Sequence, residues 1–287
     1  MQQKAPQYFP GHMAKSLRKI SSYLKVIDLV VILLDARAPL SSKNPLLENE
    51  IKNKTRLFLL TKSDWADPAV TGTWLDYFKK QGEKAISGNL KKDKILDLLA
   101  AASEELLAKK REKEKRVGMK PQPIKAMVIG IPNVGKSTFI NNLRGKKIAA
   151  VGNKAGVTRA EQWIKLSEDF VLLDTPGILP MNYPDGAQAV RLALLGSMKE
   201  EVLPTEELSY ALIGYLRENY PDALNPRFGI DDLRKYQSDD ILLSIAQKRL
   251  LLEGSRPSLT KAAYLLIKEF KDGILGRFTL EIPPDAE

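Results

Sequence analysis

The chain contains no cysteine and a single histidine, His12, in 287 residues. Without cysteine there are no disulfides and no thiolate metal sites. No apolar run reaches the ~18–20 residues that a membrane-spanning helix needs. The opening stretch, MQQKAPQYFPGHMAKS, lacks the continuous apolar segment of a signal peptide. Together these absences point to the cytoplasm and away from a membrane. Strand-like runs also become scarce beyond about residue 185, which divides the chain into two textures. What is present is a soluble globular balance, 44% hydrophobic and 28% charged residues. The length accommodates a domain of ~150–190 residues plus a smaller one.

Charge is strongly uneven. The net charge is +10, but residues 1–184 hold 32 Lys+Arg against 18 Asp+Glu, whereas residues 185–287 hold 13 against 17. A positive field of this size favours a polyanionic partner through counterion release, although composition alone fits an ordinary basic protein equally well. The basic residues gather at Lys15, Arg18, Lys19 and Lys25, between Lys79 and Lys94, and between Lys109 and Lys125. The last stretch interleaves Glu, so a solvated helix face accounts for it as readily as an interface.

Residues 13–24 read as a short basic amphipathic helix. VIDLVVILLDA and TRLFLL are near-continuous runs of branched apolar residues, the pattern of strands buried on both faces. PLLENEIKNK and DPAVTGTWLDYFKKQG separate and follow them as helices. KAIS is strand-like, and residues 91–116 predict one long Lys/Glu-laced helix. A linker at 117–123 leads into the strand KAMVIG, a Gly-rich loop, the helix KSTFINNLR, and strands around QWIKL and FVLLD. This alternation predicts an α/β fold with a doubly wound, mostly parallel sheet over residues 1–184. Beyond it, AQAVRLALLGSMKEEV, TEELSYALIGYLREN, SDDILLSIAQKRLLL and SLTKAAYLLIKEFKDG carry apolar residues at three- and four-residue spacing, predicting a helical domain over 185–287.

Gly130-Ile-Pro132-Asn133-Val134-Gly135-Lys136-Ser137 fits the phosphate-binding pattern G-x4-G-K-[ST], with a strand before it and a helix after it. Its glycines let backbone N–H groups curl around phosphate oxygens, and the helix N-terminus adds partial positive charge. Lys136 is expected to reach the β- and γ-phosphates, Ser137 to hold Mg2+, and Thr138 to border the site. Asp174-Thr-Pro-Gly177 ends the strand FVLLD. There Asp174 suits Mg2+, usually through water, and the Gly177 N–H suits the γ-phosphate. Thr158, between these motifs, is placed to bind Mg2+ and the γ-phosphate when a triphosphate is present.

Guanine recognition commonly uses [NT]-K-x-D after a buried strand, and Thr61-Lys62-Ser63-Asp64 follows TRLFLL. The Asp64 carboxylate can accept from the guanine N1 and N2 donors, which adenine cannot supply; a polar group left unpaired by the wrong base is costly, which is the source of discrimination. The Lys62 stem would pack over the base plane, and Ser87-Gly88 fits the loop whose backbone meets guanine O6. These base motifs precede the phosphate loop, the reverse of the usual order. A permuted chain builds the same sheet if the old ends are joined, a role that falls to the 117–123 linker. Asp64 and Lys136 are then expected to grip opposite ends of one GTP. A P-loop ATPase is the enzymatic alternative, which Asp64 argues against. A nucleotide-gated RNA-binding scaffold with negligible turnover is the other.

The permuted order, Phe9-Pro10-Gly11-His12-Met13-Ala14-Lys15, the stretch from Asp35-Ala-Arg37-Ala-Pro39 through Ser41 to Asn44-Pro45, Asp174-Thr-Pro-Gly-Ile-Leu-Pro180 and the helical C-terminus together resemble the YlqF-type circularly permuted GTPases over nearly the whole chain. The resemblance implies a GTPase that binds the large ribosomal subunit precursor in the GTP state and leaves after hydrolysis; a monomer is expected. It also implies that the helical domain contacts ribosomal RNA. That domain is acidic overall, so Lys248, Arg249, Arg256 and Lys261 are its candidate patch. Two departures stand out. Thr61 occupies a position where the family usually has Asn, whose side chain braces the phosphate loop, and residues 155–157 read Ala-Gly-Val in place of Pro-Gly before a hydrophobic residue.

The position after the DxxG motif, where many GTPases place a water-orienting Gln, is Ile178, which cannot orient water. Hydrolysis therefore needs help from elsewhere, and slow turnover is expected of the chain alone. The resemblance assigns His12 a role in hydrolysis, which suits imidazole near neutral pH. It also implies that Asn133 helps bind K+ beside the phosphates.

Overall fold

The computed structural model describes residues 18, 20–144, 162–166, 168, 170–175, 186–198 and 203–284. The chain divides into two compact units, one of Met1–Tyr183 with Glu281–Glu287, the other of Pro184–Leu280.

The first unit is built on a six-stranded sheet. Its elements are β1 (Leu29–Asp35), α1 (Pro45–Ile51), β2 (Thr55–Thr61), α2 (Pro68–Lys80), β3 (Lys84–Gly88), α3 (Ile95–Leu106), α4 (Ala108–Arg116), β4 (Ile124–Ile129), α5 (Lys136–Arg144), β5 (Gln162–Lys165) and β6 (Phe170–Asp174). The strand order is β3-β2-β1-β4-β6-β5. Every pairing is parallel except β5 with β6, the doubly wound, mostly parallel sheet that the alternating pattern predicts. The chain starts at the centre with β1, steps outward through β2 and β3, then returns to β4 on the other side of β1. The winding direction therefore reverses between β1 and β4, where open α/β sheets form their ligand crevice at the carboxyl ends of the strands.

Burial explains the strand sequences. All seven residues of β1 are buried, so no polar alternation survives in LVVILLD. One core cluster joins Val30, Ile32 and Leu34 of β1 to Phe58 and Leu60 of β2, Trp74 and Phe78 of α2, and Met127 and Ile129 of β4. Each such side chain contributes ~1.5–3 kcal/mol by leaving water. Phe58 and Phe78 stack at 4.8 Å between ring centroids. Helix α2 starts on Asp67, whose carboxylate accepts from the N–H groups of Ala69 and Val70, an N-cap supported by Pro68 at the first helical position.

Several local expectations differ from the structure; the helix expected over 187–202, for one, ends at Leu194, with Gly196 at φ 71°. The helix expected over 91–116 begins only at Ile95 and is interrupted at Leu107 (φ −104°, ψ 12°). Residues 89–93 are held in a turn, where the Asn89 N–H donates to the Asp93 carboxylate and the Lys91 N–H to Asn89 Oδ1; such local side-chain bonds compete with helix. The break at 107 buries Leu107 itself. Of the 13–24 helix, the structure describes residue 18 and residues 20–24, which are helical, with Ile20 and Leu24 buried.

The second unit contains α6 (Gly186–Leu194), α7 (Thr205–Asn219), α8 (Asn225–Phe228), a 3-10 turn (Leu233–Lys235), α9 (Ser238–Lys248), a hairpin of β7 (Leu252–Glu253) and β8 (Arg256–Pro257), and α10 (Leu259–Lys271). Leu212, Leu216, Ile241, Ile245, Leu266 and Phe270 are buried in it. Glu269, also buried, takes a bidentate grip from Arg227 at 2.8 and 2.6 Å. The apolar run expected to carry α9 through residue 252 stops at Lys248, because Leu250 adopts φ 53° and the chain turns into the hairpin at Gly254 (φ 61°).

Candidate nucleotide site

Parallel register places the motifs side by side. Asp35 pairs with Thr61 across β1 and β2, Thr61 with Gly88 across β2 and β3, and Val128 with Asp174 across β4 and β6. The carboxyl ends of these strands thus bring the base motif, the Ser87-Gly88 loop and the phosphate loop to one edge of the sheet.

The two halves touch directly. Thr61, fully buried, has its hydroxyl 2.6 Å from the Val134 carbonyl in the phosphate loop and 3.0 Å from the Leu34 carbonyl. One hydroxyl carries one proton, so the shorter contact is the principal donation. Thr61 therefore supplies the brace to the phosphate loop that the family draws from Asn, at shorter reach.

The phosphate loop is shaped by its glycines. A Cβ at Gly130 would lie 2.8 Å from Val134 Cγ1 and 3.1 Å from the Leu33 carbonyl oxygen. Gly135 has φ +106°, and its Cβ would lie 2.9 Å from Leu90 Cδ1. Asn133 is exposed with φ 59°, Pro132 is half-buried and Val134 is buried. Lys136, Ser137 and Thr138 form the first turn of α5. Further along the same helix, Asn142 donates to the carbonyls of Leu90 and Asp93, fastening the loop after β3 to α5.

Lys136 is buried and donates to the Thr175 carbonyl at 2.7 Å. Thr175 Oγ1 in turn donates to the Val128 carbonyl. Burial pushes the Lys136 ammonium down to about 8, with Asp174 partly offsetting that. Its folded value lies below the ordinary 10.5, so a buried charge opposes folding fully below pH ~8, and this opposition fades as pH rises from 8 toward 10.5. Phosphates would restore the ammonium's preference for its charged form. Nucleotide affinity is therefore expected to be level below pH ~7 and to fall by up to about tenfold per unit as pH rises past 8. Calorimetry at pH 8.5 in buffers of differing ionisation enthalpy should register proton uptake on binding; none would show that Lys136 is already fully charged.

The base side carries residues whose role the sequence reading did not assign. Asp35 and Arg37 are each 1% exposed and form an ion pair. Asp35 also pairs with Lys62 at 2.8 Å. Burial works against the Asp35 carboxylate's charge, but Arg37 and Lys62 outweigh it and hold the group far below the usual carboxylate range. Burial pulls the Lys62 ammonium down, while Asp35 supports it. Trp65 lies within cation–π range of Arg37 (5.2 Å), Lys62 (5.7 Å) and Lys91 (5.8 Å). An Asp ending a fully buried strand with an Arg two positions on, and an aromatic directly after Asp64, were the available signals. Asp64 itself is exposed at the rim, Ser87 is half-buried and Gly88 buried.

His12, Thr158, Gly177 and Ile178 lie outside the described residues, as do residues 155–157. Ser137 and Asp174 offer a hydroxyl and a buried carboxylate, a hard-oxygen donor set suited to Mg2+. Among the described residues no three His, Asp or Glu side chains cluster as a metal cage.

A family model described as "50S ribosome-binding GTPase" matches residues 125–214. The ribosome biogenesis GTPase A of Priestia megaterium (strain DSM 319 / IMG 1521) is 40% identical over 283 residues, covering 98% of each chain. The chain belongs to the ribosome biogenesis GTPase A family. Membership makes it a GTP hydrolase of ribosome biogenesis, and Mg2+ is the ion such GTPases use. Two solved structures of Thermotoga maritima YlqF resemble this ribosome biogenesis GTPase. The GNP-bound form has 28% identity and a TM-score of 0.64, covering 94% of this chain and 99% of that one. The GDP-bound form has 27% identity and a TM-score of 0.66, covering 93% and 100%. Among the described residues of this family member, no helix is long and apolar enough to cross a membrane.

Proposed function

We propose that this GTPase drives a late step of large ribosomal subunit assembly in the cytoplasm, binding the precursor particle in its GTP state and leaving after hydrolysis. The observation that supports the nucleotide half of this reading is the Thr61 hydroxyl on the Val134 carbonyl, a direct contact between the strand end carrying the base motif and the Gly130–Gly135 loop. The particle half rests on the family model's description and on the positive balance of residues 1–184.

In this reading Asp64 takes the guanine N1 and N2 donors, and the Lys62 stem packs over the base. The backbone of Ser87-Gly88 meets O6. The loop from Gly130 to Gly135, with Lys136, holds the phosphates. Ser137, Asp174 and Thr158 hold Mg2+, which supplies charge neutralisation on the transferring phosphoryl group. The Gly177 N–H meets the γ-phosphate, His12 orients or deprotonates the attacking water, and Asn133 takes part in a K+ site beside the phosphates.

RNA contact is assigned to the segment of the second unit around its hairpin. Lys248 ends α9, Arg249 follows it, Arg256 lies in β8 and Lys261 in α10. Two of these cations are already engaged, Arg249 over the Phe228 ring and Lys261 on the Leu252 carbonyl. In the first unit, Lys110 and Arg111 of α4 are tied to Asp28 and Glu114, leaving Lys109, Lys113, Lys115 and Arg116 exposed for a phosphate backbone.

The test is GTP turnover with and without large-subunit particles, in K+ and in Na+ buffers. Turnover is expected to be slow alone, to rise by an order of magnitude or more with the particle, and to be faster in K+. Particle-independent turnover, or particle binding insensitive to salt, would refute the assignment. His12→Ala should leave GTP affinity nearly intact and cut the stimulated rate; an unchanged rate removes His12 from the mechanism.

A further inference from the structure

We propose that Asp35, clamped by Arg37, is a positioning residue for guanine selection: it ties the Lys62 ammonium away from Asp64, keeping that carboxylate available for the base. This inference rests on the proposed nucleotide reading.

Asp35 is fully committed. Its Oδ1 accepts from the Arg37 backbone N–H at 3.1 Å and from Arg37 Nε at 3.0 Å. Its Oδ2 accepts from Arg37 Nη2 at 3.0 Å and pairs with Lys62 Nζ at 2.8 Å. The Asp35 backbone N–H is anchored on Ser42 Oγ. The carboxylate therefore cannot turn, and Lys62 meets a fixed anchor. A buried ion pair of this kind contributes little net stability against an apolar replacement, so stability alone does not account for it.

Lys62 also needs holding. Its backbone sits at φ 55°, a left-handed conformation sparsely populated by side-chain-bearing residues. Asp64, two positions on, attracts the same ammonium. Cut loose from Asp35, Lys62 would turn to that exposed carboxylate and neutralise the acceptor on which guanine selection depends. Asp35 thus leaves the aliphatic stem of Lys62 for the base and the charge of Asp64 for its donors. Trp65, within cation–π range of Arg37 and Lys62, adds an attraction that favours both cations beside Asp35.

Inosine diphosphate lacks the 2-amino group that Asp64 reads, so the ratio of GDP to IDP affinity reports on Asp64 directly, which general loosening of the fold would not. In the full-length protein, Asp35→Asn is expected to weaken GDP binding about tenfold or more and to bring the GDP:IDP ratio close to one. Adding Lys62→Met, which keeps the stem and removes the charge, should restore the ratio. An unaltered ratio in Asp35→Asn, or no recovery in Asp35→Asn/Lys62→Met, overturns the proposal. A measurement on the unaltered protein covers a variant that fails to fold. In acetylation footprinting of the nucleotide-free protein, Lys62 should react severalfold more slowly than exposed Lys91, and equal rates overturn the tie. A wild-type protein that does not prefer GDP to ADP would instead refute the nucleotide reading itself, before any variant is made.

Discussion

Asp64→Asn should abolish tight GDP binding and create a preference for xanthosine diphosphate. The carboxylate offers acceptors to the guanine N1–H and N2–H groups. An amide presents one acceptor and one donor, so one guanine donor faces another donor. Hydrogen bonds to charged groups are worth ~1.5–3 kcal/mol each, and a buried donor left unpaired costs a further ~1–3 kcal/mol. Asp64 lies at an exposed rim, so the lower end of these ranges applies, about 3 kcal/mol or roughly a hundredfold in affinity. Xanthine carries a carbonyl where guanine carries the 2-amino group, and the new amide donor can meet it. Titrations of wild type and variant with both diphosphates would check this. A variant that keeps wild-type GDP affinity would remove Asp64 from the base site and reopen the ATPase alternative.

Gly135→Ala should both destabilise the nucleotide-free protein and disable the phosphate loop. Two separable costs act at this residue. Its φ of +106° is one that L side chains rarely adopt, worth ~1–3 kcal/mol. The new methyl would also approach Leu90 Cδ1 to 2.9 Å, and overpacking of a buried contact costs a similar ~1–3 kcal/mol. Together these predict a loss of roughly 2–6 kcal/mol, visible as a lowered melting temperature. Any part relieved by moving the loop displaces the N–H groups that must face phosphate, so GDP affinity should fall by about two orders of magnitude if ~3 kcal/mol is felt in the complex. Combining the change with Leu90→Ala should remove the steric part and leave the conformational part. The two losses should then sum to more than the double variant shows. Strict additivity would mean that the loop never meets Leu90.

Asp64 and Gly135 stand out as candidates in the sequence because the chemistry proposed for them is written locally. A carboxylate three positions after Thr61, and a glycine before Lys136, declare themselves through spacing and flanking strands. The sheet was legible for the same reason: β1 and β2 are runs of branched apolar residues that only a strand covered on both faces can bury. Elements decided by competition between local and distant contacts were harder to read. Residues 91–93 lie in a charged stretch compatible with helix, but Asn89 and Asp93 close a turn on their own backbone, and Asn142 pins that turn from another helix. Leu250 extends an apolar helical pattern and yet adopts φ 53° to enter a hairpin.

By itself the sequence determined the permuted order of the motifs, the parallel sheet, and the chemical type of each group in the proposed base and phosphate motifs. Those properties depend on residue identity and short spacing, which the chain carries in one dimension. Only the tertiary structure decided that Thr61 reaches the phosphate loop, that Lys62 is tied to Asp35, that Lys136 rests on the Thr175 carbonyl, and that Glu281 returns to the first unit, accepting from the Ser41 N–H and hydroxyl. Each of these pairs a polar group with a partner that burial makes obligatory. The partner is set by which strand lies beside which, and a list of residues does not contain that information.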